Sequence, residues 1–253
     1  MYAEERHQAM VLLARQQGRV EVVALAADFD VTPETVRRDL TALERQGVLR
    51  RVHGGAIPVE RLGFEPALAA RDAVMTGEKE RIAKLALAEL PEEGAILLDA
   101  GSTTARIAEI LPTDREFTVV TNAIPIASLL AVRPNITLLI LGGRVRGRTL
   151  AAVDQWAVGL LRDTFVDVAF IGANGISKQR GLTTPDSTEA GVKSAMIAAA
   201  RRTVVVADHT KFGNDHFARF GKLEDVDTLI TDNGLDGDVA DEIAASGPRL
   251  VLA

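Results

Sequence analysis

The stretch VTPETVRRDLTALERQGVLRRVHGGA, Val31 to Ala56, carries a complete set of start, face and stop signals for one short helix and a following hairpin. Thr32 is a good N-cap, Pro33 fits the first helical position where its missing N–H costs nothing, and Glu34 suits the positive end of the helix dipole. Val36, Leu40 and Leu43 recur at i, i+4 and i+7 and predict a buried face, with Glu34, Arg38, Thr41 and Arg45 opposite and Arg37 at the flank. Gly47 ends the helix. VLRRVHGGA then reads as a β-hairpin wing with basic residues.

Working towards the N-terminus, residues 4 to 17 set Met10, Leu13, Ala14 and Gln17 at helical spacing, with Gly18 as the stop. VVALAADF forms a second short helix presenting Val22, Leu25, Ala26 and Phe29. Two short helices joined by a turn, the second bearing exposed Arg and Thr, is the layout that places a recognition helix in the DNA major groove. Arg can bond guanine O6 and N7 in bidentate fashion, Thr can meet a base edge, and flanking Arg can neutralise phosphate. The expected DNA-binding residues are Thr32, Thr35, Arg37, Arg38, Thr41, Arg45, Arg51 and His53. Two other readings stand beside it: a solvated helix face in which Arg38 and Arg45 pair with Glu34 and Glu44, and an accessory module whose basic helix meets another protein.

Charge supports the DNA reading. The first 57 residues hold eight Arg, no Lys and eight Asp plus Glu, so the net charge of −6 belongs wholly to the remainder. Between residues 37 and 51 five Arg face only Asp39 and Glu44, a basic interval on an acidic chain.

Beyond about residue 75 the pattern changes to apolar runs, AILLDA, FTVVTN, ITLLILGG, DVAFIGA, TVVVADH and DTLITD, alternating with helical segments such as TTARIAEIL, PIASLLAV, EAGVKSAMIAAA and DGDVADEIAAS. Continuous hydrophobicity predicts strands buried on both faces of a mostly parallel sheet. The fold class is therefore an α/β domain with a mostly parallel sheet over 78–253, preceded by a small winged helix-turn-helix domain over 1–57 and a linker over 58–77. Small or polar residues end each run: Asp99, Thr121 with Asn122, Gly142 with Gly143, Gly172 with Asn174, Asp208, and Thr231 with Asp232. Such positions form the ligand crevice of an open α/β sheet. In DAGSTTARIAEIL, Gly101 allows a tight turn and Ser102, Thr103 and Thr104 open a helix whose free N–H groups and dipole attract an anion, phosphate above all; the same residues also serve as ordinary caps.

A hydrophobic content of 47% with 25% charged residues places the chain among globular proteins rather than disordered ones. Cysteine is absent, which removes disulfides, thiolate metal sites and a Cys nucleophile. No signal-peptide pattern or membrane span is present, so a cytoplasmic location and no membrane partner are expected. The dinucleotide, P-loop, serine-hydrolase and zinc-protease motifs are missing. His209 and His216 lack a ligand set, so no metal and no cofactor are expected, and Trp156 reads as a core or interface residue.

The motif series resembles the DeoR family of bacterial transcription regulators over nearly the whole chain. VTPETVRRDLTALERQGVLRRVHGGA resembles its DNA-binding signature, and DAGSTT, Thr121–Asn122, Gly142–Gly143, FIGANGI, GLTTPD, EAGVKSAMI and DHTKFG resemble its sensor motifs. Departures are mild: Thr32–Pro33 where Ser and a polar residue are common, and Val36 where Ile is usual. The resemblance implies a repressor of carbohydrate genes that binds double-stranded operator DNA and whose affinity falls when a phosphorylated sugar or related metabolite occupies the sensor. It also implies effector contacts from Asp99, Gly101, Ser102, Thr103, Thr104, Thr121, Asn122, Gly142, Gly143, Asn174, Glu189, Lys193 and Lys211, with the two lysines as point charges for phosphate. Glu189 and Lys193, at i and i+4, form either a helix salt bridge or part of the crevice. Paired half-sites suggest a homodimer or homotetramer. The segment from Pro58 to Gly77 would carry the signal.

The sensor is also similar to ribose-5-phosphate isomerase, which supplies the rival reading of an enzyme with a fused DNA-binding domain. Where that enzyme has a D-G-A-D-E loop, this chain has Ile171, Gly172, Ala173, Asn174 and Gly175. Isomerisation needs a base, and an amide cannot serve as one. The expectation is a sensor without catalytic residues.

Overall fold

The computed structural model describes residues 3–17, 19–58 and 65–253. The chain divides into two compact units, Met1–Pro66 and Ala67–Ala253.

The first unit contains α1 (Ala3–Gln17), β1 (Val20–Glu21), α2 (Val22–Asp28), α3 (Pro33–Arg45), β2 (Leu49–Val52) and β3 (Gly55–Pro58). The expected stop at Gly18 lies outside the described residues. Met10, Leu25, Val36, Leu40, Leu43 and Leu49 are buried together, so the apolar stripes of three helices and the wing close one small core. The Thr32 hydroxyl caps α3 by accepting from Thr35 N–H, with Pro33 in the first turn. At the other end Gly47 takes φ +73°, and the N–H groups of Gly47 and Val48 donate to Glu44 O at 2.9 Å and Leu43 O at 3.0 Å. These two bonds satisfy carbonyls that the helix end leaves free. The wing pairs β2 with β3, and β1, which sequence pattern had not revealed, adds a third strand beside β3. Gly55 is required there, because a Cβ would stand 1.9 Å from Val20 O.

The second unit opens with α4 (Leu68–Asp72) and α5 (Thr76–Ala86). The expected linker over 58–77 therefore includes a helix of the sensor unit, held by Leu68 N–H donating to Arg148 O at 2.9 Å; residues 59–64 lie outside the description. Then follow β4 (Gly94–Leu98), α6 (Ser102–Glu109), β5 (Phe117–Thr121), α7 (Ile124–Leu130), β6 (Ile136–Ile140), β7 (Arg144–Arg146), β8 (Ala151–Val153), α8 (Gln155–Arg162) and β9 (Val166–Gly172). The chain continues through β10 (Gly175–Ser177), β11 (Gly181–Thr184), α9 (Ser187–Ala199), β12 (Ala200–Val206), β13 (Ala218–Gly221), β14 (Thr228–Thr231), α10 (Gly237–Ala244) and β15 (Arg249–Leu252).

Seven strands form one sheet in the order β15-β14-β12-β9-β4-β5-β6, with every pairing parallel. The chain runs outward from β4 through β5 to β6, then returns to the other side of β4 and runs outward again from β9. The strand order thus reverses between β4 and β9, and ligands of such folds bind outside the carboxyl ends at that reversal. Strands β4, β9, β12 and β14 are buried on both sides as expected; β6 and β15 are not, because each sits at a sheet edge. A smaller antiparallel sheet, β10-β11-β13, and the β7-β8 hairpin complete the unit.

Candidate functional site

On the recognition helix, the exposed Arg38 and Arg45 stand two turns apart on one face, and neither has a hydrogen bond or ion pair among the described residues. The salt-bridged alternative falls on a different residue: Arg37 pairs with Glu34 at 3.2 Å. Thr41, expected to reach DNA, spends its hydroxyl within the unit, donating to Arg37 O at 2.8 Å and accepting from Arg51 Nη1 at 3.0 Å. Thr35 is likewise engaged, its hydroxyl 2.9 Å from that of Thr32. The wing is braced on the helix, since Glu44 accepts from Arg51 N–H at 3.0 Å, while His53 is exposed and its carbonyl accepts from Arg19.

Asp39 does not offset the basic face. It is buried, with Arg6 Nε at 2.6 Å and His7 Nε2 at 2.9 Å, and so ties α3 to α1. Burial pushes its carboxyl upward, but the hydrogen bonds and charges of Arg6 and His7 outweigh that and hold it below the usual carboxylate range.

In the sensor unit the strand reversal is closed by a bracket of charge. The Lys193 ammonium, from the middle of α9, bonds the Asp99 carboxylate and donates to Gly172 O at 2.9 Å, while Gly172 N–H donates to Asp99 Oδ2 at 3.0 Å. Lys193 also lies 5.4 Å from the centre of the Phe220 ring. Both charged side chains are almost fully buried. Lys193 is thus neutralised by an internal partner at a distant sequence position, which departs from the expected point charge for phosphate. Glu189 turns away from Lys193 to Arg146 at 3.2 Å and to the Thr149 hydroxyl.

Several expected effector residues prove to be internal fasteners. The Thr104 hydroxyl donates back to Asp99 O at 2.6 Å, and the Thr121 hydroxyl donates to Leu98 O at 2.6 Å. Asn122 accepts from Ala100 N–H and donates to Ala152 O, stitching the loop after β4 to β8. Gly143 has φ +140°, and a Cβ there would lie 2.6 Å from Val153 O, so it shapes the departure into the β7-β8 hairpin; Gly142 beside it is exposed. Gly101 has extended backbone at φ −174°, so its size matters rather than its freedom: a Cβ would stand 3.1 Å from the Thr104 hydroxyl.

What remains open is the first turn of α6. Gly101 provides no side-chain cap, and the Ser102 and Thr103 hydroxyls bond no described group. Peptide N–H groups at a helix start, together with hydroxyls, form an anion cradle. Lys211, after β12, carries a half-buried ammonium beside Asp208 at 3.6 Å and Thr210 at 3.2 Å. Burial would raise the Asp208 carboxyl, but Lys211, the Thr210 hydroxyl and Lys79 together hold it below the usual range. Asn174 is half-buried at the end of β9, its N–H donating to Thr183 O at 3.2 Å.

Two residues emerge to which sequence pattern gave no functional role. Lys79 of α5 is buried, its ammonium donating to the Arg71 and Val74 carbonyls of the α4–α5 turn. Burial lowers it to about 8, with Asp208 opposing that shift and Lys211 adding to it. His209 lies with Nδ1 2.7 Å from the buried Asp232 carboxylate. A lysine inside a helical stripe gives no sequence signal of burial. A separate surface hollow of about 260 Å³, lined by Lys178, Arg180, Arg219 and Lys222 among others, contains none of these groups.

Residues 6–61 match the model of the DeoR-like helix-turn-helix domain, and residues 75–233 match that of the DeoR C-terminal sensor domain. The chain belongs to the DeoR family. Its DeoR relatives include the HTH-type transcriptional regulator GlpR of Haloferax volcanii, 36% identical with 98% of this chain and 97% of that protein aligned. The glycerol-3-phosphate regulon repressor of Escherichia coli is 31% identical, with 92% of each chain covered. Among solved structures, ribose 5-phosphate isomerase A of Methanocaldococcus jannaschii aligns with a TM-score of 0.39 at 20% identity over 53% of each chain. Among the described residues no helix is long and apolar enough to cross a membrane.

Proposed function

We propose that this DeoR-family regulator represses genes of carbohydrate use by binding operator DNA, and that a phosphorylated sugar or related metabolite releases it. It acts in the cytoplasm, where its operator is. The observation that carries the DNA half is the pair of unpartnered guanidiniums, Arg38 and Arg45, on the exposed face of a helix capped at both ends. A solvated structural face would pair them with Glu34 and Glu44; instead Glu34 takes Arg37 and Glu44 takes the wing backbone. The effector half is supported by the uncapped start of α6, with two idle hydroxyls and Lys211 as the cation of the crevice.

Release requires the effector to favour the DNA-incompetent arrangement, with a coupling of about 1 to 3 kcal/mol. The sensor's first helix is tied to the crevice twice. Asp72 of α4 pairs with Arg106 of α6 at 2.8 Å, on the helix whose start cradles the anion. Lys79 holds the α4–α5 turn by its carbonyls while feeling the charges of Asp208 and Lys211. An anion at the crevice thus acts on α4 through ammonium and guanidinium contacts.

The protein is a sensor and not an isomerase, since Gly172, Ala173, Asn174 and Gly175 offer no proton-transferring group at the mouth of β9. The deciding experiment is a gel-shift assay on the upstream region of the protein's own gene, with and without glycerol 3-phosphate, fructose 1-phosphate and inorganic phosphate. Specific binding that one sugar phosphate relieves supports the reading. Absence of salt-dependent DNA binding overturns it.

A further inference from the structure

The hollow beside the β10–β11 turn is positively charged, on a chain that is acidic overall. Its volume is about 260 Å³, and Lys178, Arg180, Arg219 and Lys222 line it, with Glu224 as the one carboxylate in the lining. Lys222 and Glu224 lie just before β14, and Ser246, also in the lining, lies just before β15. The hollow therefore sits at the amino ends of those parallel strands, whereas the crevice of Asp99, Lys193 and Lys211 opens at the carboxyl ends. The two lie at opposite ends of one sheet.

The fold brings these cations together from two walls. Lys178 and Arg180 come from the turn between β10 and β11, Arg219 from β13, and Lys222 from the residue after it. Strand β11 pairs with β13, Leu182 opposite Gly221, and the approach is close enough that only glycine fits at 181. Gly181 has φ +73°, and a Cβ there would stand 2.5 Å from Gly221 O. The turn is braced as well: the Ser177 hydroxyl accepts from Arg180 N–H at 3.1 Å and donates to Asp215 at 2.7 Å. The counter-charges are loosely held. Lys178 reaches Glu242 at 3.5 Å and Arg180 reaches Asp215 at 3.9 Å, with all four side chains well exposed, and exposed pairs of that length hold little energy. Glu224 takes Lys222 at 2.6 Å. Its hydrogen bond and charge raise the Lys222 ammonium above its ordinary value, while Arg219 opposes that rise, so the two cations feel each other. Arg219 is exposed and has no hydrogen bond or ion pair among the described residues.

We propose that this hollow binds a small molecule through a diphosphate group, and so gives the sensor unit a second anion site, apart from the crevice. Its lining holds four cations against one carboxylate. A phosphate ester brings about 1.5 to 2 negative charges near neutral pH, so one phosphate leaves the lining positive and two joined phosphates neutralise it. Two guanidiniums suit such a ligand, since each can take two phosphate oxygens at once, and the two ammoniums add point charges. At about 260 Å³ the hollow is smaller than the roughly 300 to 1,000 Å³ of pockets that enclose a whole ligand. It holds the anionic end and leaves the rest of the molecule in solvent. The site does not depend on the repressor reading, and its test contains no DNA, so the two can fail separately.

Isothermal titration calorimetry of the full chain with inorganic pyrophosphate should show saturable binding, at least tenfold tighter than with inorganic phosphate or sulfate at equal ionic strength. Arg219→Ala and Arg180→Ala, one from each wall, should each weaken pyrophosphate binding at least fivefold. Arg219→Lys should keep part of the affinity, and Arg219→Glu/Lys222→Glu should abolish it. All these positions are exposed, so circular dichroism melts of the variants should match that of the parent chain. Failure of pyrophosphate to bind overturns the proposal. So does binding no tighter than that of phosphate, or binding that survives the double charge reversal, which would assign the anion to another part of the molecule.

Discussion

Replacing Lys193 by Met tests whether the crevice is held by an internal ion pair. Methionine keeps nearly the length and volume of the side chain and deletes only the ammonium. What it leaves is the Asp99 carboxylate, 2% exposed, with Gly172 N–H at 3.0 Å as its remaining side-chain partner. Breaking a buried pair from one side costs about 3 to 5 kcal/mol, because the surviving charge stays desolvated. Against a total stability of about 5 to 15 kcal/mol this is a large fraction. For a unit of this size it lowers Tm by roughly 6 to 20 °C. The double variant Asp99→Asn/Lys193→Met removes both charges, and Asn can still accept from Gly172, so most of the loss should return. Urea denaturation is the assay, followed by fluorescence of Trp156, which reports the sensor unit alone; comparison of midpoints is valid where the slope is unchanged. A cost below about 1 kcal/mol for Lys193→Met, or a double variant as unstable as the single, would refute the bracket and return Lys193 to the role of a free phosphate cation.

Lys79 gives a pH signature. Its folded value of about 8 lies below the ordinary lysine value of 10.5, so between those limits the unfolded chain holds more protons than the folded one. Stability from this group therefore rises as pH climbs through that window, by about 2 kcal/mol from pH 7.5 to 9.5. Lys79→Met should lose that rise, as urea midpoints at the two pH values will show. Arg38→Ala should abolish discrimination between operator and unrelated DNA, whereas Arg51→Ala should weaken binding to all sequences and lower the salt slope by about one unit, both read in titrations over salt concentration. Thr103→Val should leave operator affinity intact and weaken the response to a sugar phosphate at least tenfold; an unaltered response removes α6 as the anion cradle. Asp72→Asn should keep both DNA and effector binding while cutting their coupling, measured as operator affinity with and without effector.

Much of this protein is legible along the chain because its signals are local. Thr32, Pro33 and Gly47 bound the recognition helix through contacts no more than a few residues away, and Val36, Leu40 and Leu43 fix its buried face by period alone. The apolar runs likewise announce a parallel sheet. Residues 102 to 104 read as a helix start, and α6 begins at Ser102, but which of the three hydroxyls remain free is beyond local pattern. Thr104 turns back to Asp99, while Ser102 and Thr103 stay open.

The remainder depends on pairings across long sequence separations. Asp39 looked like a surface counter-charge until α1 folded over it with Arg6 and His7. Lys193 can be read along the chain as a helix partner of Glu189, four residues away, or, as the family resemblance favours, as a crevice residue. The fold sets it at the strand reversal, paired with Asp99 and not with Glu189, because β9 and β4 become neighbours there. The exposed face of β6 follows from strand order too: an apolar run has the same composition at a sheet's centre and at its edge, and only the order of pairing says which strand lacks a neighbour. Sequence by itself determined the recognition helix with its wing and the main strands and helices of the parallel sheet, since those follow from periodicity and capping, and its motif series marked the family. Tertiary structure alone decided which charges are bound within the molecule, which remain for a ligand, and which apolar edge is left open, since each depends on neighbours that the chain brings together only on folding.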